Sequence, residues 1–391
     1  MKEFNRDYLE FELDPRNIVI VDSTLREGEQ AAGVALTLDE KLRIASYDDE
    51  IGVDYVEVFT EYGDRERVLL ESIRQLEFRN SKIQVWNRLR KSDIDLCLKY
   101  DFEWVSITAG FSDIHLKSKF RASFDDLLQS CLELISYCKE HGLKVSLHLE
   151  DSTRTPIDRL IKILSEVDDV DRIRDCDTVS VLIPIAAYNR MKLLVDNARG
   201  IPIEVHYHND RGLALANSIS AVMAGASSIS ATWNGLGDKA GNAALDEVIL
   251  LIYELYGIDR FDLSKAVEAS LYVAEASRIP IYRFKPVSGY DVFSVQSGIH
   301  QDGILKNPEI YQPYPPKLVG REWRIVLGVT SGTHGLSYLL ASRGYKLPDD
   351  ERKVREILAY AKSIAESKKG YLDEDDLDNL ARRFNLENLT R

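Results

Sequence analysis

Four clusters in this chain have residue types and spacings that chemistry needs. His206 and His208, in EVHYHND, lie two apart on an expected strand, so both imidazoles leave the same face. Two imidazoles so placed can hold one metal ion, although the pair alone also fits one core histidine and one helix cap. The string DSTLREGEQ, Asp22–Gln30, brings Asp22, Arg26, Glu27, Glu29 and Gln30 together. A carboxylate beside an arginine can bind a cation while the guanidinium orients a carbonyl or carboxylate; the same string would also serve as a solvated loop. In NGLGDKAGN, Asn234–Asn242, the glycines permit close backbone approach, and Asn242 offers an amide oxygen to a metal. SGIHQDG, Ser297–Gly303, carries His300, with Tyr311 further on; taken alone, that histidine reads as a surface residue.

These clusters need a frame to bring them together. Short β-branched runs recur along the chain at Ile18–Asp22, Tyr55–Phe59, Lys82–Val85, Trp104–Ile107, Lys144–Leu149, Thr178–Leu182, Ile203–His206 and Ser228–Thr232. Stretches of helical periodicity separate them, among them Leu36–Gly52 and Asp125–Gly142, the latter closed by its glycine. Strands alternating with helices in this number predict a parallel α/β sheet closed as a (β/α)8 TIM barrel, with an open doubly wound sheet as the alternative. In a barrel the first three clusters all follow strands and so face the catalytic mouth. The alternation stops near residue 260. We therefore expect a barrel over residues 1–280, then a linker and a small, mostly helical region over 281–391. Within that region NPEIYQPYPP, Asn307–Pro316, is too proline-rich for regular structure, and the tail from Pro348 to Arg391 reads as charged amphipathic helices.

Bulk composition excludes several classes. Acidic side chains outnumber basic ones, 64 to 50, for a net charge of −14, and no basic block stands out, which argues against nucleic acid as a partner. No apolar run approaches the roughly 20 residues of a membrane helix. The start, MKEFNRDYLEFELD, lacks the apolar stretch of a signal peptide. Cys97, Cys131, Cys138 and Cys176 form no C-x-x-C pair and suit a reducing compartment. The expectation is a cytoplasmic enzyme with no membrane partner.

Taken together and in this order, HYHNDRGLALAN, the AGN loop and SGIHQDG resemble the family of homocitrate, isopropylmalate and citramalate synthases, related more distantly to hydroxymethylglutaryl-CoA lyase. Further matching stretches are SDIHLKSKF, LEDSTR, DTVS and LVGREWRIVLGVTSG, so the likeness spans residues 17–340. The resemblance implies an acyl-CoA carboxyalkyltransferase: a divalent metal (Mg²⁺, Mn²⁺ or Zn²⁺), acetyl-CoA as co-substrate, a small 2-oxo acid as acceptor, and a homodimer. It implies Glu27, His206 and His208 as metal ligands with Asn242 as a fourth. Arg26 would stabilise oxyanion character, and Glu150, His300 and Tyr311 would form an acid–base relay. Gln30, Glu57, Arg88 and Thr178 would contact the acid. Glutamate at position 27 leans towards a homocitrate synthase-like enzyme. Ser146 and His148 depart from that pattern, which has an arginine and a serine there, so the distal group would fall to Arg88, Arg90 or His148, or the acid is another: 2-oxoisovalerate, pyruvate, oxaloacetate or phosphonopyruvate. Lyase chemistry is disfavoured because NGLGDKAGN has no cysteine, and a non-catalytic barrel because all the expected ligands are present.

Overall fold

The structure, a computed structural model, describes residues 1–9 and 18–388, so the ends of two expected segments, at 10–14 and 389–391, lie outside it. The chain divides into two compact units, Met1–Ile281 and Tyr282–Arg391.

The first unit is a closed barrel of eight parallel strands: β1 (Val19–Asp22), β2 (Tyr55–Phe59), β3 (Lys82–Arg88), β4 (Trp104–Gly110), β5 (Lys144–Glu150), β6 (Arg172–Asp177), β7 (Ile203–Tyr207) and β8 (Ser228–Ala231), with β8 pairing back onto β1. Each strand is followed by a helix: α1 (Leu38–Ile51), α2 (Asp64–Ile73), α3 (Lys91–Lys99), α4 (Phe124–Glu140), α5 (Ile157–Glu166), α6 (Pro184–Asn197), α7 (Ala214–Met223) and α8 (Leu245–Tyr256). Alternation along the strands fixes which side chains face the helices. Val56, Val58, Val105, Ile107, Val145 and Leu147 are fully buried, and burying each contributes about 1.5–3 kcal/mol. The residues between them are polar and line the barrel.

Local chemistry sets the element ends. Thr37 and Glu40 form a reciprocal capping box at the start of α1, and Gly52 ends it at φ 97°, a left-handed conformation glycine adopts without strain. Ser123 caps α4 through the amide of Asp126, and left-handed Gly142 follows its last turn.

One strand differs from expectation. The sixth was expected at Thr178–Leu182, the more β-like string, but the barrel uses Arg172–Asp177. RIRDCD does not read as a buried strand because four of its six residues are charged. The barrel interior supplies their partners: Arg172 and Arg174 both meet Glu204 of β7, and Asp175 meets Arg190 of α6.

The second unit packs helices Gly298–Lys306, Thr333–Ser342, Glu351–Lys368 and Glu374–Arg383 with two short strand pairs. Its core gathers Leu327, Leu336, Leu340, Ile357, Ala361 and Leu380. The proline-rich stretch is irregular apart from a 3-10 turn at Pro308–Ile310 and the start of another, Pro316–Val319, at its last residue. No helix among the described residues is long and apolar enough to cross a membrane.

Candidate active site

The loop after β1 turns sharply, with the amides of Arg26 and Glu27 both donating to the carbonyl of Ser23. This brings Arg26 and Glu27 back over the barrel end, buried at 6% and 3% exposure. Glu29 serves the loop itself: Lys41 at 2.5 Å and Arg65 at 2.6 Å hold its carboxylate. Gln30 stands exposed at the end of that turn.

His206, on β7, and His208, just beyond it, approach Glu27 from the far side. Their Nε2 atoms lie 3.9 Å and 4.0 Å from the two Glu27 oxygens, and one ligand atom from each of the three residues falls within 4.8 Å of the others. Each imidazole is fixed by its other nitrogen: His206 Nδ1 meets Ser230 Oγ at 3.0 Å, and His208 Nδ1 meets Asp238 Oδ1 at 3.2 Å. That arrangement aims both Nε2 atoms at the carboxylate, as second-layer hydrogen bonds do for metal-binding histidines. Burial first, then Arg26, holds His206 well below its ordinary range; burial also lowers His208, with Glu27 opposing. Both rings are therefore neutral near pH 7, the form that ligates metal.

Asn242 closes the set. Its strand-like stretch pairs with His208, and its Oδ1 is buried without a hydrogen bond while Nδ2 reaches the carbonyl of Leu236. The glycines are needed here: a Cβ on Gly237 would stand 2.2 Å from Asn242 Nδ2, and one on Gly241 would stand 1.8 Å from the carbonyl of Gly235. A buried amide oxygen with no donor, beside a carboxylate and two neutral imidazoles, fits a divalent cation.

Next to this group the interior is a closed ion network. Arg26 Nε donates to Glu57 at 2.6 Å while its NH1 pairs with Glu27. Glu57 also takes Arg174 at 2.7 Å, Gln84 at 2.9 Å and the Ser23 hydroxyl at 3.0 Å. Burial alone would raise the Glu57 carboxyl, but Arg174 and Arg26 outweigh it and hold the group well below the usual carboxylate range. Arg88 is engaged by Asp93 through two 2.8 Å bonds. The Thr178 hydroxyl accepts from the Asp151 amide at 2.9 Å. Glu150, at the end of β5, pairs with Lys119 and lies 3.9 Å from His115. Gly110 makes room for that histidine, since a Cβ there would stand 2.3 Å from its Nδ1.

The barrel thus brings together Arg26, Glu27, His206, His208 and Asn242, with Glu57 behind Arg26 and His148 4.0 Å from Glu57. In the second unit His300 and Tyr311 stand with ring centroids 4.3 Å apart. Sequence reasoning missed Ser230, Asp238, Lys119 and Arg174. Asp238 lay in the glycine loop already singled out and Lys119 in the quoted stretch SDIHLKSKF; Ser230 and Arg174 are single residues with no local pattern.

Two family models match the chain: HMGL-like over residues 17–273, and homocitrate synthase post-HMGL domain-like over 287–369. The chain is 39% identical to an (R)-citramalate synthase of Methanocaldococcus jannaschii over 93% of its own length and 74% of that protein's. It is 38% identical to homocitrate synthase 1 of Nostoc sp. (96% and 99%) and 38% identical to a 2-isopropylmalate synthase of Sulfolobus acidocaldarius (91% and 93%). Among solved structures, the hydroxymethylglutaryl-CoA lyase of Bacillus subtilis shares the fold with a TM-score of 0.61 at 18% identity, over 68% of this chain and 96% of that one. With its barrel, its ligand cluster and these relatives in hand, the chain belongs to the HMGL-like family, in the group of homocitrate, isopropylmalate and citramalate synthases.

Proposed function

We propose that this protein condenses acetyl-CoA with a 2-oxo acid and hydrolyses the resulting thioester, as a homodimer and in the manner of a homocitrate synthase. The observation that carries this reading is the Glu27–His206–His208 cluster beside the buried guanidinium of Arg26. Glu27, His206, His208 and Asn242 are the residues to hold Mg²⁺, Mn²⁺ or Zn²⁺, which when bound supplies Lewis acidity towards the acceptor carbonyl.

The chain's own groups account for the rest. His300, paired with Tyr311, takes a proton from the methyl of acetyl-CoA, and the freed electron pair forms the new carbon–carbon bond to C2 of the acid. Arg26 is rigid, because Glu57 and Glu27 fix it, and it offers a fixed positive charge to the oxygen that becomes the hydroxyl. Glu150, neutralised by Lys119, belongs to the proton path that returns a proton to that oxygen. Water then cleaves the carbon–sulfur bond, releasing a carboxylate and free CoA thiol. Gln30, Thr178 and Arg88 are assigned to the acid's binding.

The test is thiol release from acetyl-CoA with Mg²⁺ or Mn²⁺ across a panel of 2-oxo acids, 2-oxoglutarate first. The reading expects release with at least one acid and its loss with chelator. No release with any acid at full metal occupancy would overturn it.

A further inference from the structure

The stretch SDIHLKSKF supplies only Lys119 to the chemistry above, yet the structure gives its histidine, His115, a built setting. The loop after β4 opens with a helical turn, Asp113–His115, that runs into a π turn, Leu116–Phe120. Such turns are rare and concentrate at functional sites. The His115 side chain, 14% exposed, packs against the end of β4. Gly110 stands there because a Cβ would meet the ring, and Gly110 pairs in register with Glu150 of β5.

The imidazole lies between two carboxylates. Nδ1 is 3.9 Å from Glu150 Oε2, and Nε2 is 3.8 Å from Asp151 Oδ2. Both spacings exceed a direct hydrogen bond and match contacts that tighten once substrate closes a site. Nδ1 is buried without a hydrogen-bond partner. The two carboxylates differ in freedom. Asp151 is fully buried, with its backbone in the left-handed region at φ 57°. Ser112 Oγ donates to its Oδ2 at 2.5 Å, and Arg154 Nε donates to its Oδ1 at 2.7 Å. A non-glycine residue persists in that conformation only where its surroundings over-determine it. Ser112 Oγ also accepts from the His115 amide at 3.3 Å, so one hydroxyl ties the histidine to Asp151. Glu150, by contrast, ends its strand half-buried. Lys119 pairs with the same Oε2 that His115 faces, which leaves Oε1 for the reaction.

Resting on the function proposed above, we infer that His115 is a positioning residue that acts through Glu150. Asp151 fixes its ring and stabilises its charged form, and Nδ1 hands Glu150 the proton that Glu150 gives to the acceptor oxygen. Carboxylate, imidazole and carboxylate in this order follow the logic of a proton-transfer group oriented by a third residue. The protons balance over a turnover. The methyl proton leaves on His300 and passes to water. The oxygen at C2 gains a proton from Glu150, Glu150 regains one from the imidazolium, and the imidazole regains one from water.

The experiment measures thiol release at saturating Mg²⁺ and acetyl-CoA for the parent, His115→Ala and His115→Gln, with and without added free imidazole. The inference expects His115→Ala to lower kcat at least ~10²-fold with little change in KM for the 2-oxo acid, and imidazole to restore at least ~10-fold of that loss. His115→Gln keeps a hydrogen-bonding side chain that carries no proton, so it should be as slow as His115→Ala. Near-parent kcat in either variant, or no gain with imidazole, would overturn the relay. Mn²⁺ binding by calorimetry should be unchanged in both variants; its loss would make His115 a structural residue and overturn the inference too. Turnover by the parent with undiminished variants would sink this inference alone, whereas no thiol release by the parent with any 2-oxo acid would sink the condensation itself.

Discussion

The barrel interior treats charge in two ways. Around Glu57, Arg174, Arg172 and Glu204, each ionised group is matched by an opposite charge, on the neighbouring strand or across the lumen. A few ångströms away, at Glu27, His206, His208 and Asn242, the ring nitrogens are oriented but their Nε2 atoms meet only a carboxylate at about hydrogen-bond range plus one ångström, and an amide oxygen has no donor. The first region is a scaffold whose charges neutralise one another. The second is preorganised for something absent from the polypeptide. Buried polar groups are satisfied as a rule, so the contrast separates what holds the barrel from what the barrel holds.

The largest expected effect breaks the second region. Glu27→Ala or His208→Ala should lower turnover by at least about 10³-fold while far-ultraviolet dichroism and thermal unfolding stay near wild type. Activity near wild type in either variant would mean that the cluster is not the reaction centre. The complementary break is in the scaffold. Arg174→Met leaves Glu57 and Glu204 buried without their shared partner and should destabilise the fold by about 3–5 kcal/mol in urea titration. If it unfolds no more easily than the parent, the network is not structural.

A smaller change sharpens the boundary between the regions. Asp238→Asn removes the carboxylate behind His208 without touching a ligand atom, and should weaken cation affinity roughly 10–100-fold, with kcat at saturating metal less affected. An unchanged affinity would assign Asp238 to the loop alone. His300→Ala should lower kcat more than it raises KM for the 2-oxo acid, since its proposed role is proton transfer; the opposite split would make it a binding residue.

The smallest effect concerns a third setting, behind the strands. Asp22 of β1 and Asp48 of α1 share a buried site, where Trp233 Nε1 donates to Asp48 at 2.8 Å and Thr24 serves Asp22. Burial pushes the Asp22 carboxyl up to about 6, against the hydrogen bonds that favour its ionised form. The folded state therefore holds a proton that the unfolded chain releases near pH 4. Stability from this pair is full below that pH and falls as pH rises through about 6 and beyond, because burial and then Asp22 also hold the Asp48 carboxyl well above the usual carboxylate range. Asp48→Asn keeps an acceptor for Trp233 and offers Asp22 a donor, so it should raise stability by about 1 kcal/mol at pH 8 and flatten the profile between pH 4 and 6. An identical pH profile in the variant would remove the shared-proton account.

Much of this was legible in the sequence. Seven of the eight strands announced themselves through β-branched runs, because their outward faces pack on helices and their composition follows. The sixth did not, because its partners lie on β7 and α6, and a local reading cannot know that Arg172, Arg174 and Asp175 will be neutralised there. The same reason hid the supporting residues. Glu27, His206, His208 and Asn242 sit in dense local strings, whereas Ser230 and Lys119 act through contacts that no spacing along the chain encodes. The unsatisfied atoms on β4 and β5 were legible only in part: Ser146 and His148 stood out as departures from the family pattern, whereas Ser106 and Thr108 look like ordinary strand residues until burial shows that nothing bonds them.

The account rests most on the claim that Glu27, His206 and His208 hold one divalent cation. The most direct measurement is calorimetric titration of the chelator-treated protein with Mn²⁺, alongside His206→Ala. The account predicts one ion bound per chain in the parent and loss of that site in the variant. No stoichiometric binding in the parent, or an undiminished site in the variant, would contradict it.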